Sequence, residues 1–309
     1  MSSLALDIGA SGYDSVPSGS GPTGYTLVCD TATIEVTGVD VGLFINRVLT
    51  CGTATIEVTG VDVGLTLTRV WDAMGDVHEA YIADSQYITL NGADVSTWTP
   101  QKGNVDLVMA TAADQPLWNA TGCNGFGSVE GDGTSEHLTG DGNGADASGN
   151  DTPFEVIILW KHNTGTITAN RYHYAYGNSA DSDSRHSSWY STSSGRLEHN
   201  RRGDTDTVNV NAQTTQTYGD SDWHVFSAAF TGTTVTFTVD GASTSVTDAA
   251  LDRAAMTSNR FTLMALRLNA AASGWNDISL SGVWLASAVL SSGDRDAIVA
   301  WAKSRAGIA

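Results

Sequence analysis

Apolar and polar positions alternate with a period of two along most of the chain, and helical spacing is confined to its end. Residues 32–37 and 54–59 both read Ala-Thr-Ile-Glu-Val-Thr, alternating small or apolar with polar side chains as a half-buried strand does. Residues 153–161, PFEVIILWK, form a nearly continuous apolar run, the pattern of a strand covered on both faces. Trp223 to Val246 alternates around Asp240-Gly241, a dipeptide suited to a tight hairpin turn, and Ile278 to Ala286 reads as the last strand. Beyond it, Ser291-Ser-Gly-Asp294 supplies a helix cap, Ala297, Ile298, Trp301 and Ala302 share one apolar face, and Gly307 provides the stop. The pattern predicts an all-β protein with one short C-terminal helix.

A repeat divides the chain. Cys29 to Val48 returns as Cys51 to Val70 at an offset of 22 residues, with 16 identities in the 22 positions from Cys29. Within each copy the alternating run, a glycine (Gly38 or Gly60) and a second extended run from Gly42 or Gly64 predict a strand pair, and two copies are too few for a solenoid. Residues 1–24 are rich in Ser and Gly with little to bury, which predicts a flexible arm. Three parts follow: an arm over 1–24, a small repeated β module over 25–79, and a larger β domain over 80–309.

Composition narrows the function. With 15 basic and 34 acidic residues the formal net charge is −19, so phosphate backbones would be repelled and nucleic acid is not the expected partner. No apolar stretch is long enough to span a membrane, and the N-terminal residues lack the basic start and apolar core of a secretion signal, so no membrane insertion is expected. Cys29, Cys51 and Cys123 form no CxxC, which argues against structural zinc or thioredoxin-like chemistry; a Cys29 to Cys51 bridge stays open. Neither a Gly-x-Ser-x-Gly elbow nor a His-Glu-x-x-His zinc motif occurs.

From Ala80 onward the segments resemble the opening of concanavalin A-like (laminin G-like) jelly-roll domains. Ser96, Trp98, Gly103 and Asn104 match a Ser-x-Trp-x-x-x-x-Gly-Asn turn, Gln115-Pro116 a Gln-Pro segment, and Asp132-Gly133 the turn that ends a strand. The resemblance extends to the terminal helix and implies a jelly-roll sandwich; it marks fold far more than function.

Three groups of residues could carry chemistry. Glu130, Asp132 and Glu136 resemble the Glu-x-Asp-x-x-Glu strand of some jelly-roll glycanases, in which carboxylates on one strand face act as nucleophile and acid. The last interval is one residue longer here, and Gly131 and Gly133 favour a turn, so capping or solvated carboxylates are the competing reading. In the loop Thr139 to Asp151, Asp141, Asn143, Asp146 and Asp151 offer hard oxygen ligands that would suit calcium; a plain solvated loop is the alternative. Between Arg171 and Arg202, Tyr172, Tyr174, Tyr176, Arg185, Trp189, Tyr190, Arg196 and Arg201 concentrate rings and cations that would line a glycan groove, unless alternate aromatics are core. Arg202-Gly203-Asp204 is read as a chance turn.

An assembly-competent β module that carries a laminin G-like sandwich resembles virion surface components of tailed bacteriophages: decoration proteins, head fibres or tail appendages. The resemblance implies a non-enzymatic virion surface protein, homo-oligomeric and attached to other virion proteins through its N-terminal part. The sandwich would project and bind host-surface polysaccharide, with no cofactor required. A polysaccharide depolymerase and a bacterial lectin or adhesin are the alternatives.

Overall fold

The computed structural model describes residues 31–37, 53–59, 69–142, 152–164, 171–178, 185–191, 194–204, 210–214, 217–218, 220–247, 255–268 and 271–308. It divides into two compact units, Met1–Ala73 and Met74–Ala309.

In the first unit, Thr31–Thr37 and Thr53–Thr59 pair in parallel, with Thr31 opposite Thr53 and Thr37 opposite Thr59. Each residue thus lies beside its own counterpart in the other copy. The sequence pattern predicts a strand pair inside each copy, whereas this ladder joins the copies to one another. A parallel crossover needs a connection of a dozen or more residues, and residues 38–52 supply that length. The second extended run of each copy, the arm over 1–24, and Cys29 and Cys51 lie outside the described residues.

The second unit is an antiparallel β-sandwich closed by one helix. It begins earlier than Ala80, because Val77–Ile82 is a strand in which Val77 and Glu79 already pair with Ala286 and Leu285. Among the described residues, 17 of its strands join in one sheet that folds into two facing runs, and Leu266–Leu268 pairs with Ala271–Ser273 in a separate hairpin. One run orders Ala242–Thr247, Thr234–Val239, His224–Phe230, Phe154–His162, Ile278–Ala286 and Val77–Ile82. The other orders Val210–Gln213, Arg196–Arg202, Arg185–Ser191, Arg171–Gly177, Arg260–Leu263, Leu138–Asp141 and Leu107–Val108. Asp94–Trp98, Leu117–Cys123 and Phe126–Glu130 carry the hydrogen bonding between them.

The core lies between the runs. Phe154, Val156, Ile158 and Trp160 project from the central strand onto Tyr174, Tyr176, Leu197 and Phe261. Ring pairs cross the interface, with Phe154 and Tyr176 centroids 5.2 Å apart and Trp160 and His173 centroids 4.5 Å apart. All nine positions of Ile278–Ala286 are buried, as are eight of the nine in Phe154–His162, so the nearly unbroken apolar runs are strands covered on both faces.

The local signals at the C-terminus hold. Asp240 and Gly241 both adopt positive φ (51° and 91°) in the hairpin turn that joins Val239 to Ala242. Helix Ser292–Ala306 is capped by Ser291 Oγ, which accepts from the Asp294 amide at 3.1 Å, and it ends at Gly307 with φ 72°. The helix is pinned from outside its own sequence: Arg295 grips the fully buried Glu155 at 2.6 and 2.8 Å, and the buried Arg305 donates to Ala83 O and Asp84 Oδ1.

The family-like positions turn out to be structural. Trp98 is buried and donates from Nε1 to Ile82 O; Gln115 donates to Met109 O and accepts from Asn91. Asn104 and Val105 donate their amides to the Glu79 carboxylate, and burial raises the pKa of Glu79 against those bonds.

Candidate functional site

A cleft of about 250 Å³ opens at one edge of the sandwich, lined by Met109, Thr111, Asp114, Ser135, His137, Arg267, Ala272 and Trp275. Three separate stretches build it. Met109 follows the short strand Leu107–Val108, and Asp114 ends the 3-10 turn Ala112–Asp114. His137 immediately precedes the strand Leu138–Asp141, while Arg267 and Ala272 face one another as backbone partners in the hairpin of Leu266–Leu268 with Ala271–Ser273.

Hydrogen bonds hold these stretches in place. The His137 amide donates to Asp114 O at 3.2 Å, Ser135 Oγ to Ala113 O at 3.2 Å, and Gln115 Nε2 to Met109 O at 2.6 Å. Arg171 Nη1 bridges the carbonyls of Gly133 and Trp275, which ties the turn before His137 to the loop that carries the indole. Trp275 is half-buried and lines the cleft.

Arg267 is the cation of the cleft. Its Nη1 reaches Thr139 Oγ1 at 3.3 Å, and among the described residues no carboxylate forms an ion pair with it. Burial, then the neighbouring Arg260, lower its pKa, against the opposing pull of Asp141 and Asp114. His137 is only 5% exposed, and its Nε2 has no hydrogen-bond partner among the described residues. Burial lowers its pKa, the carbonyl of Ser135 works the other way, and Arg267 lowers it further. The lining therefore combines an indole with a guanidinium, an imidazole and a carboxylate, the mixture of apolar and fixed polar groups found in small-ligand sites.

None of the eight ring and cation positions expected to form a groove lines this cleft. Tyr174 and Tyr176 are completely buried, packed against Phe261 and Phe154, because strand alternation turns them into the core. Arg201 is completely buried as well, where its charge helps depress the pKa of His186 and His199, and Tyr190 is 8% exposed. Tyr172, Arg185 and Arg196 are half-buried; the side chain of Trp189 lies outside the described residues. This segment is core, with a fringe of partly exposed polar groups.

The carboxylate trio does not share a strand face. The strand Phe126–Glu130 ends at Glu130, and Gly133 at φ 73° turns the chain away. Glu130 accepts from Asn119 Nδ2 and Ser128 Oγ, both at 2.9 Å. Asp132 caps the turn: burial opposes its ionisation, but bonds from the Thr134 hydroxyl and the amides of Thr134, Ser135 and Glu136 outweigh it and lower its pKa. Glu136 is pushed up to about 7 by burial and then by the charge of Asp132.

Of the expected calcium ligands, Asp141 pairs with Arg260 at 2.7 Å, while Asn143, Asp146 and Asp151 lie outside the described residues. Asp204 of the Arg-Gly-Asp triplet binds the amide and hydroxyl of Thr257, so the triplet is part of a turn.

No family model matches the chain, and no curated protein matches it. Solved structures do resemble it. The ligand-binding domain of botulinum neurotoxin serotype D, in complex with N-acetylneuraminic acid, aligns with a TM-score of 0.51 at 8% identity over 72% of this chain and 50% of its own. The binding domain of Paraclostridial mosquitocidal protein 1 aligns with a TM-score of 0.50 at 9% identity over 73% of this chain and 52% of its own. The chain shares their fold. It spans about half the length of these two proteins, and 23% of the NanB sialidase of Streptococcus pneumoniae, which aligns at a TM-score of 0.38.

Proposed function

We propose that the sandwich is a non-enzymatic carbohydrate-binding module that holds its glycan in the cleft of Asp114, His137, Arg267 and Trp275. The observation that carries this reading is the composition of the cleft: a half-buried indole beside a guanidinium without a carboxylate partner among the described residues, on a scaffold of fixed strands. A sugar presents just such a surface, an apolar face of CH groups edged by hydroxyls. The volume of about 250 Å³ lies just below that of ordinary ligand sites, roughly 300–1,000 Å³, and suits one sugar residue at the end or branch of a chain. The resemblance to domains that bind N-acetylneuraminic acid or serve as toxin binding domains is a likeness of fold; it is compatible with this use and does not choose the sugar.

Binding without hydrolysis is favoured because the acidic trio is occupied in turns: Asp132 holds three amides and Glu130 two side-chain donors, and they do not face one another across a strand. A panel of bacterial polysaccharides, scored in the same wells for retention and for new reducing ends, tests both halves of the reading. Retention without cleavage, lost in Arg267→Ala and Trp275→Ala, supports it. Cleavage that disappears in Glu130→Gln would replace it with a depolymerase.

For the whole chain we propose a place on the surface of a tailed-bacteriophage virion, with the repeat module attaching to other virion proteins or sister copies. The parallel pairing of the two repeats supports an assembly role, since parallel ladders of so few strands are normally completed by neighbouring elements. Co-sedimentation with particles tests it: removal of residues 1–70 should abolish attachment and leave glycan binding by the sandwich intact. Equal attachment without those residues would contradict the division of labour.

A further inference from the structure

His137 carries information about which sugars the cleft accepts. Its Nδ1 lies 2.9 Å from the carbonyl oxygen of Ser135. A carbonyl only accepts, so Nδ1 carries the hydrogen, and in the neutral ring Nε2 is a bare lone pair. Among the described residues that lone pair is buried without a donor, in a residue 95% shielded from solvent that lines the cleft. Buried acceptors of this kind are ordinarily satisfied by protein, ordered water or ligand. Asp114, on the same wall, is a second acceptor, and Arg267 is the donor.

Resting on the carbohydrate-binding reading above, we propose that the cleft selects a neutral sugar, one of whose hydroxyls donates to His137 Nε2 while a neighbouring hydroxyl accepts from Arg267. A hydroxyl both donates and accepts, so a pair on adjacent ring carbons satisfies acceptor and guanidinium together. A carboxylate or sulfate group only accepts. It would serve Arg267 but set negative charge against the Asp114 carboxylate and the lone pair of His137, in a chain whose formal net charge is −19.

The two ligand classes have opposite proton linkage. The groups facing His137 are the Ser135 carbonyl, Arg267, Asp114 and Arg260; burial and the two guanidiniums hold the ring neutral near pH 7 against the pull of the carbonyl and Asp114. A neutral sugar that donates to Nε2 binds the uncharged ring, so its affinity falls as acid protonates His137. An acidic sugar gains an imidazolium partner, so its affinity rises.

The test is calorimetric titration of the full chain with neutral oligosaccharides and their uronic-acid and sulfated counterparts at pH 7.5 and pH 5. A thermal melt at each pH verifies folding, because other buried histidines also respond to acid. The expected result is binding of a neutral sugar that weakens as acid protonates His137; His137→Gln, which retains an acceptor and the other histidines, binds at pH 7.5 and loses that weakening. Preference for the acidic counterparts, or tightening on acidification, overturns the proposal while leaving glycan binding in place. Neutral-sugar binding undiminished at pH 7.5 in His137→Ala overturns the role of His137. Binding of no sugar from either class, or binding indifferent to both Arg267→Ala and Trp275→Ala, overturns the carbohydrate reading itself.

Discussion

Glu136 and Gly103 show how single residues trade stability for local geometry. The folded pKa of Glu136, about 7, lies above its unfolded value near 4.5, so the folded state keeps a proton that the unfolded chain releases across that interval. Stability is therefore lost as pH rises from about 4.5 to 7, and the penalty persists above. Glu136→Gln should raise the melting temperature at pH 8 by more than at pH 4.5, and an equal shift at both values would refute the assignment. Gly103 adopts φ 100°, and a methyl group there would overlap the Glu79 carboxylate that collects the Asn104 and Val105 amides. Gly103→Ala should cost about 1–3 kcal/mol in chemical denaturation, from backbone strain and a displaced buried acid. The Gly-Asn signal was legible in the sequence; the reason for it, a glutamate 24 residues earlier, was not.

At the scale of elements, the features that depend on neighbours in sequence were readable and those that depend on distant partners were not. The cap at Ser291, the stop at Gly307, the Asp240-Gly241 turn and the apolar runs at Phe154 and Ile278 all arise from local chemistry. Tyr174 and Tyr176 show the limit: period-two alternation places both on one face, but only the position of the opposite sheet decides whether that face is core or groove. The cleft was harder still, since its polar residues come from positions 114, 137 and 267 and form no motif. An unusual combination of His, Arg and Trp near turns was the one available cue. Glu155 belongs to the same class: an acid in an apolar strand whose partner, Arg295, is 140 residues away. Arg295→Ala leaves that carboxylate buried without its ion pair, although Ser227 Oγ and the Leu290 amide still donate to it. Its expected cost is about 3–5 kcal/mol, read as a lower denaturant midpoint with unchanged slope, with the helix the first element to lose amide-exchange protection.

The whole molecule carries a set of buried histidines with a shared consequence. Burial lowers the pKa of His162 to about 4 and of His199 to about 3, and pushes His173 and His186 well below the usual value. The unfolded chain protonates these rings near pH 6.5 while the folded one resists, so stability is full above that value and declines as pH falls through 6.5 toward 4. His224 works in the other direction: burial disfavours its charge, but bonds to Asp240 at 2.7 Å and Asp220 at 2.8 Å outweigh that and raise its pKa. Its contribution is present below pH 6.5 and is lost as pH rises through the raised value. His137 is lowered in the same way, so five rings stand against one, and the net prediction is a urea midpoint that drops steeply between pH 6.5 and 4; a flat profile over that range would show that the rings are not buried as described.

The central claim is that this sandwich binds glycan in the Trp275 and Arg267 cleft without cutting it. Retention of the wild-type chain, Arg267→Ala and Trp275→Ala on a panel of bacterial polysaccharides, with reducing ends assayed in the same wells, tests it most directly. At least one polysaccharide should retain the wild type, either substitution should weaken retention at least tenfold without lowering the melting temperature appreciably, and no reducing ends should appear. Retention unchanged in both variants, or release of reducing ends by the wild type, would contradict it.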